Sequence, residues 1–205
     1  MKLIFLRPEI PNEALDEIVS MINRTRGVLR VAVAYFTHPT IAQALISRKI
    51  NGFSTQLLIN TSDILRPIDI GTEIVISKQL FDVINEANYD SELQIRSLGI
   101  RAKGKYQNMH HKFMVSDDEL IFGSVNWTYA AIHNNFECLA MTNDKKYINE
   151  FISEFEALWV VAQELYTNNG QLRSIMCPKC QDSEGVDFES YGLICTFCGH
   201  EFKLN

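Results

Sequence analysis

The stretch His110-His111-Lys112-Phe113-Met114-Val115-Ser116-Asp117, continued by Leu120-Ile121-Phe122-Gly123-Ser124-Val125-Asn126, leaves this chain few ways to fold. Residues two apart on a strand share a face, so His110 and Lys112 project together while Phe113 and Val115 point to the opposite, apolar side. Asp117-Asp118-Glu119 reads as a polar turn and Leu120-Ile121-Phe122 as the returning strand. One side of the hairpin is core and the other carries an imidazole, an ammonium, a carboxylate and a carboxamide. At Gly123 the backbone can turn tightly or approach a phosphate closely. Past it, Ser124 and Asn126 again share a face, where a hydroxyl and a carboxamide can donate to phosphate oxygens and stabilise charge building up at phosphorus.

The rest of the chain alternates strand and helix patterns. Residues 2–6 read as a strand. Asn12 caps a helix to about Arg24, with Ala14, Ile18, Met21 and Ile22 at helical spacing. A buried strand is expected over 28–36, and a helix from Thr37 or Pro39 through Ile50 that stops at Asn51-Gly52. A strand over 54–59, an aperiodic loop over 60–71, a helix over about 77–87 and a strand over 93–98 follow. Beyond the hairpin come a short helix over 127–133, a strand over 136–141, and a long helix capped by Asp144 and running to about Tyr166. In that helix Phe151, Phe155, Leu158, Trp159 and Ala162 form a core stripe. This alternation indicates an α/β sandwich with a central mixed sheet flanked by helices, occupying residues 1–166.

The motif resembles that of the phospholipase D superfamily: His110-x-Lys112, four residues, Asp117, then Gly123-Ser124-x-Asn126. Asn126-Trp127-Thr128 and Asn134-Asn135-Phe136-Glu137 extend the similarity toward its single-motif nuclease branch, of bacterial Nuc and Zucchini type, over roughly the first four-fifths of the chain. The turn between Asp117 and Gly123 is one residue shorter than is usual in that family, yet every polar position is kept. A bare His-x-Lys on a strand is usually a solvated face; this many positions in order are not. The resemblance implies a phospholipase D-like sandwich and a two-step displacement in which His110 attacks phosphorus and water releases the phosphohistidine, without metal. It also implies a homodimer, because a second histidine must act as acid and base and one motif per chain supplies only one. Within that scheme Lys112, Ser124 and Asn126 bind phosphate, Glu137 accepts the other ring N–H of His110, and Asp117 holds the hairpin and the lysine. A lipid phosphodiesterase and a non-catalytic nucleic-acid-binding relative are the alternatives.

His111 should face away from Lys112 and serve in packing or hydrogen bonding. His38 and His133 have no matched partners and are expected to be structural. Cys138, in an apolar strand, is expected to be a buried thiol.

At 205 residues, 46% hydrophobic and 21% charged, the chain is expected to be an ordinary globular protein with one core and a small appendage, and it shows no signal peptide or membrane span, which suggests the cytoplasm. A net charge of −6 gives no general attraction for a polyanion. Between 93 and 112, however, Arg96, Arg101, Lys103, Lys105 and Lys112 occur with no acid and lead into the catalytic strand. Such a run is often a solvated loop; beside His110 it is a candidate nucleic-acid rim, with Tyr106 available to stack on a base.

After a polar break opening a linker at 167–176, Cys177-x-x-Cys180 and Cys195-x-x-Cys198 stand fourteen residues apart. Each pair suits half of a tetrahedral zinc site, and residues 177–205 look like a zinc ribbon. The segment is too short to fold on apolar burial alone, so structural zinc would supply much of its stability. Two disulfides or a redox pair are the other readings of four cysteines. The ribbon's acids, Asp182, Glu184, Asp187, Glu189 and Glu201, outnumber Lys179 and Lys203 and favour a protein contact over nucleic acid.

Overall fold

The computed structural model describes residues 1–8, 13–60, 92–102, 105–164, 186–189, 192–195 and 201–202. The helix expected over 77–87, nearly all of the loop expected over 60–71, Asn12 and Lys103 lie outside them.

Strands β1 (Lys2–Leu6), β2 (Leu29–Val33), β3 (Thr55–Asn60), β4 (Leu93–Ala102), β5 (Lys105–Asn108), β6 (Lys112–Val115), β7 (Leu120–Gly123), β8 (Glu137–Thr142) and β9 (Gln163–Glu164) build one sheet. Its order is β1-β8-β7-β6-β2-β3-β4-β5, with β9 added to β4. The β2–β3 and β3–β4 pairs are parallel and all the others antiparallel, so the sheet is mixed, as expected. Helices α1 (Glu13–Arg24) and α2 (Pro39–Ile50) cover one face. Ile18, Met21 and Ile22 of α1 and Ile41 and Leu45 of α2 pack there on Ile4, Val31, Val33, Leu57, Met114, Ile121 and Leu139. Helix α4 (Lys145–Val161) covers the other face, where Ile148, Phe151, Phe155, Leu158 and Trp159 meet Ala32, Leu58, Phe113, Val115, Leu120 and Phe122.

The α1–α2 layer is clasped by Arg48, which is buried although charged. Its guanidinium donates to Thr55 Oγ1 at 3.0 Å, to Ser54 O at 3.0 Å, to Ile22 O at 3.3 Å, and to the carbonyls of Thr25 and Gly27. Those last carbonyls belong to the end of α1 and the chain beyond it, where a helix leaves acceptors unsatisfied. Burial, with the nearby Arg26 charge adding to it, lowers the Arg48 pKa to about 10, which leaves it charged at neutral pH.

Two expectations shift. The second strand ends at Val33, and residues 34–38 form a connection stitched to the segment after β7: Trp127 N donates to Tyr35 O at 3.0 Å, and Thr37 N and His38 N donate to Trp127 O at 2.8 and 2.9 Å. The last helix stops at Val161 rather than near 166, because Ala162 adopts extended backbone (φ −75°, ψ 146°) and sends Gln163 and Glu164 into the sheet beside Ser97 and Arg96. Strands β10 (Val186–Glu189), β11 (Gly192–Cys195) and β12 (Glu201–Phe202) form a separate antiparallel sheet. Among the described residues no helix is long and apolar enough to cross a membrane.

Candidate active site

The polar cluster lies where β6 begins and β7 ends. His110 is exposed immediately before β6, and Ala34 N donates to the His111 carbonyl at 2.9 Å, which fixes the entry to the strand. Lys112 is half-buried; its Nζ donates to His110 Nδ1 at 2.9 Å and to His110 O at 2.7 Å. With an ammonium donating to Nδ1, a neutral ring carries its proton on Nε2. Burial lowers the His110 pKa, and the Lys112 and His111 charges lower it further. Burial also lowers the Lys112 pKa, against which the Glu137 carboxylate pulls it upward. The ring edge of Tyr35 stands against His110, centroids 6.2 Å apart and planes at 83°.

Glu137, at the start of β8, takes partners other than the one anticipated. Its Oε2 accepts from the Ser124 hydroxyl and its Oε1 from Asn135 Nδ2 at 3.2 Å. The His110 nitrogen it was expected to hold is instead the acceptor of Lys112. Ser124 is correspondingly engaged: its Oγ also accepts from Cys138 N at 3.0 Å, and its own N–H donates to Cys138 O at 3.0 Å. Its hydroxyl buttresses Glu137 rather than standing ready for a ligand. Asn126 is half-buried, and its Oδ1 is buried without a hydrogen-bond partner among the described residues. An orphaned carbonyl of this kind is costly unless a ligand or partner satisfies it.

Gly123 has a different reason from the one expected. A Cβ there would run into the Cys138 carbonyl oxygen and lie 3.0 Å from Leu139 Cα, so glycine is required for β7 to approach β8.

Asp117 is remote from Lys112, at the opposite end of β6. Its carboxylate stands 3.6 Å from Arg30 Nη1, and its carbonyl accepts from Lys145 Nζ at 2.6 Å. It holds the hairpin but not the lysine. The turn itself closes on Ser116, whose Oγ accepts from Asp118 N at 3.3 Å and Glu119 N at 3.1 Å. His111 faces α4 as expected, with Nε2 3.3 Å from Glu154 Oε1.

The basic run is a β4–β5 hairpin rather than a loop. Arg96 does not reach outward: it donates to Trp159 O at 2.7 Å and lies 4.7 Å over the Trp159 ring, pinning β4 to α4. The side chains of Arg101, Lys105 and Tyr106, and all of Lys103, are outside the described residues.

Two further expectations are corrected, and one neighbour of His110 is new. His38 and His133 are not isolated: their Nε2 atoms are 3.4 Å apart, and α3 (Tyr129–His133), capped by Thr128 Oγ1 on Ala131 N, places Tyr129 against His133 with ring centroids 4.2 Å apart. Strand spacing could not reveal this pair, because one histidine lies on the connection after β2 and the other on a short helix. Cys138 is exposed, not buried, because none of the described helices covers the face of β8 it occupies. Tyr35 was not anticipated as a neighbour of His110, since only the stitching of residues 34–38 to Trp127 puts it there.

A family model described as "Cardiolipin synthase, PLD-like domain" matches residues 18–159. The chain belongs to the phospholipase D superfamily. Mitochondrial cardiolipin hydrolase of Xenopus tropicalis is 24% identical over 149 residues, covering 72% of this chain and 62% of that protein. The human protein of that name is 50% identical over 52 residues, which is 25% of this chain and only 21% of that relative's length. Among solved structures, NucT from Helicobacter pylori superposes with a TM-score of 0.63 at 22% identity, covering 80% of this chain and 98% of that one. Nuc from Salmonella typhimurium gives 0.61 at 19%, covering 80% and 95%. These likenesses give the phospholipase D fold that the hairpin motif implied.

Proposed function

We propose that the protein is a phosphodiesterase that cleaves nucleic acid through a phosphohistidine on His110, in a site completed by a second copy of the chain. The observation that carries the reading is the grouping of His110, Lys112, Asn126 and the Ser124–Glu137 pair at one end of adjacent strands, with the ring nitrogen held by the lysine. In the resting arrangement each neutral ring carries its proton on Nε2, and the partner subunit's His110 becomes the general acid on taking a second proton at Nδ1. An arriving phosphate offers Lys112 better acceptors, and Asn126 has amide hydrogens to give the same oxygens. Once Lys112 turns to phosphate, Nδ1 can take the proton and Nε2 attacks.

The N–P bond forms as the P–O bond to the leaving group breaks, and the partner subunit's His110 protonates the leaving oxygen. That histidine then takes a proton from water, whose oxygen attacks phosphorus and breaks the N–P bond. Glu137 and Ser124 set the position of the β7–β8 ends and supply negative charge opposite Lys112. No metal enters these steps.

The second reading is a lipid phosphodiesterase, favoured by the curated relatives named for cardiolipin hydrolysis. Incubating wild type and His110→Ala with single- and double-stranded DNA, RNA and cardiolipin vesicles, all in chelator, separates the two. The proposal expects cleavage of a nucleic acid by wild type alone; turnover of cardiolipin only would replace it with the lipid reading.

The four cysteines are proposed to hold a structural zinc. β11 ends on Cys195 and pairs with β12 through Ile194 and Glu201, which brings together the chain on either side of residues 196–200. That reversal suits one Cys-x-x-Cys pair, and four thiolates are a zinc donor set. Cys177, Cys180 and Cys198 lie outside the described residues.

A further inference from the structure

We propose that Tyr129 is the platform on which a nucleobase beside the scissile phosphate stacks, so that the protein cleaves strands whose bases are unpaired. The inference rests on the nuclease reading and adds to it a residue that selects the substrate.

Tyr129 opens α3 on the side of the sheet that carries the site. Residues two apart on a strand share a face, so Lys112 lies with Met114 and Glu137 with Leu139. Met114 and Leu139 pack in the core beneath α1 and α2, and so do Trp127, Ala131 and Ile132, which carry α3 to the same face. The end of the sheet is the same as well. Tyr35, whose ring stands against His110, precedes His38 by three residues, at most about 11 Å of chain. His38 and Tyr129 are ring neighbours in turn, with centroids 6.3 Å apart and planes at 10°. The platform thus stands from the nucleophile at the scale of a single nucleotide.

The ring is exposed yet fixed. Tyr129 is 59% exposed, whereas His38 behind it is only 3% exposed. His133 covers one face of the Tyr129 ring at a centroid distance of 4.2 Å. That imidazole is held in place by His38, Nε2 to Nε2 at 3.4 Å, and the His38 N–H donates to Trp127 O at 2.9 Å. An aromatic ring backed on one face and open on the other is preorganised for stacking, and every base has a π-face to lay on it.

Two observations make a base the occupant. The apolar side chains of α3, Ala131 and Ile132, are buried, and the other exposed residues within 128–135 are Ala130, Asn134 and Asn135. What is offered there is one π-face among small and polar groups, not the apolar groove that an acyl chain needs. In addition, residues 28–50 and 120–136 contain no Asp or Glu, although the chain carries a net −6. These are the segments that bring Tyr35, His38, Asn126 and Tyr129 together, so a strand of phosphates meets no like charge from them.

The test is steady-state cleavage, in chelator, by wild type, Tyr129→Ala and Tyr129→Phe. The substrates are single-stranded oligothymidylate or oligouridylate, whichever wild type cleaves, and the same oligomer with every base replaced by a tetrahydrofuran abasic unit. The expected wild-type KM is about 10-fold lower for the oligomer with bases. Tyr129→Ala should raise that KM to the baseless value while leaving the KM for the abasic oligomer and both kcat values within about twofold, and should melt within a few degrees of wild type. Tyr129→Phe should keep the wild-type KM. A merely structural role for Tyr129 would move both substrates together and so overturn the platform. A wild type that does not tell the two oligomers apart, a Tyr129→Ala that still does, or cleavage of double-stranded nucleic acid alone also overturns it and leaves the nuclease reading standing. A wild type that cleaves no nucleic acid overturns both.

Discussion

His110 owes its character to two neighbours of different kinds, an ammonium on Nδ1 and a tyrosine edge against the ring. Because it is exposed, His110→Ala should lower cleavage by about 1000-fold or more while leaving the melting temperature unchanged, as calorimetry can check. Its pKa lies below the ordinary imidazole value, so the ring is neutral at pH 7 and protonates only below the usual range. The acid limb of the rate profile should therefore fall below about pH 6.5 and vanish as a separate feature in His110→Ala. His38 follows the same sign for stability: burial, then the His133 charge, lowers its pKa. The folded state thus binds fewer protons than the unfolded chain once pH drops below the unfolded value, and stability is lost as pH falls from there through the folded pKa. His38→Asn should remove that acid-side loss, measured as melting temperature between pH 7 and 5. The grouping of His110, Lys112, Ser124 and Asn126 was legible in the sequence because they lie close together along one hairpin. The roles of Glu137, Asp117 and the His38–His133 pair were not, since each depends on which strands are adjacent.

Among the elements, the hairpin β6–β7 and its pairing with β8 position everything polar. Gly123→Ala should cost about 2–3 kcal/mol, because the added Cβ meets the Cys138 carbonyl and pushes β7 from β8. Activity should fall with it even below the melting transition, as the Ser124–Glu137 contact spans the same two strands. Arg48→Met should cost about 3 kcal/mol by denaturant titration, leaving the carbonyls of Ile22, Thr25 and Gly27 without their donor. Helical periodicity found α1, α2 and α4, and alternation found the hairpin. The end of α4 was missed because Val160 and Val161 continue an apolar run that tertiary pairing of β9 interrupts. The basic run misled for a related reason: Arg96 is charged, yet its aliphatic stem and guanidinium are spent on Trp159.

For the whole molecule, two kinds of metal dependence must be told apart. The phosphodiesterase reading expects cleavage to continue in chelator, whereas zinc in residues 177–205 would be lost, read as one zinc per chain by elemental analysis and none in Cys177→Ser/Cys180→Ser. Immediate loss of cleavage that magnesium alone restores would contradict the histidine mechanism. The mixed sheet and its helices were expected from strand and helix alternation, and the match over residues 18–159 agrees. The β1–β8 face that none of the described helices covers could not be read from the chain, because exposure of Phe5 and Cys138 follows from where α4 stops covering the sheet. The central claim is that His110 becomes covalently bonded to phosphorus. Quenching the reaction in alkali, where phosphohistidine survives, and mapping peptides by mass spectrometry tests it directly. The account predicts a phosphoryl adduct on the peptide containing His110 in wild type and none in His110→Ala; continued cleavage with no adduct on that peptide at any time point would contradict it.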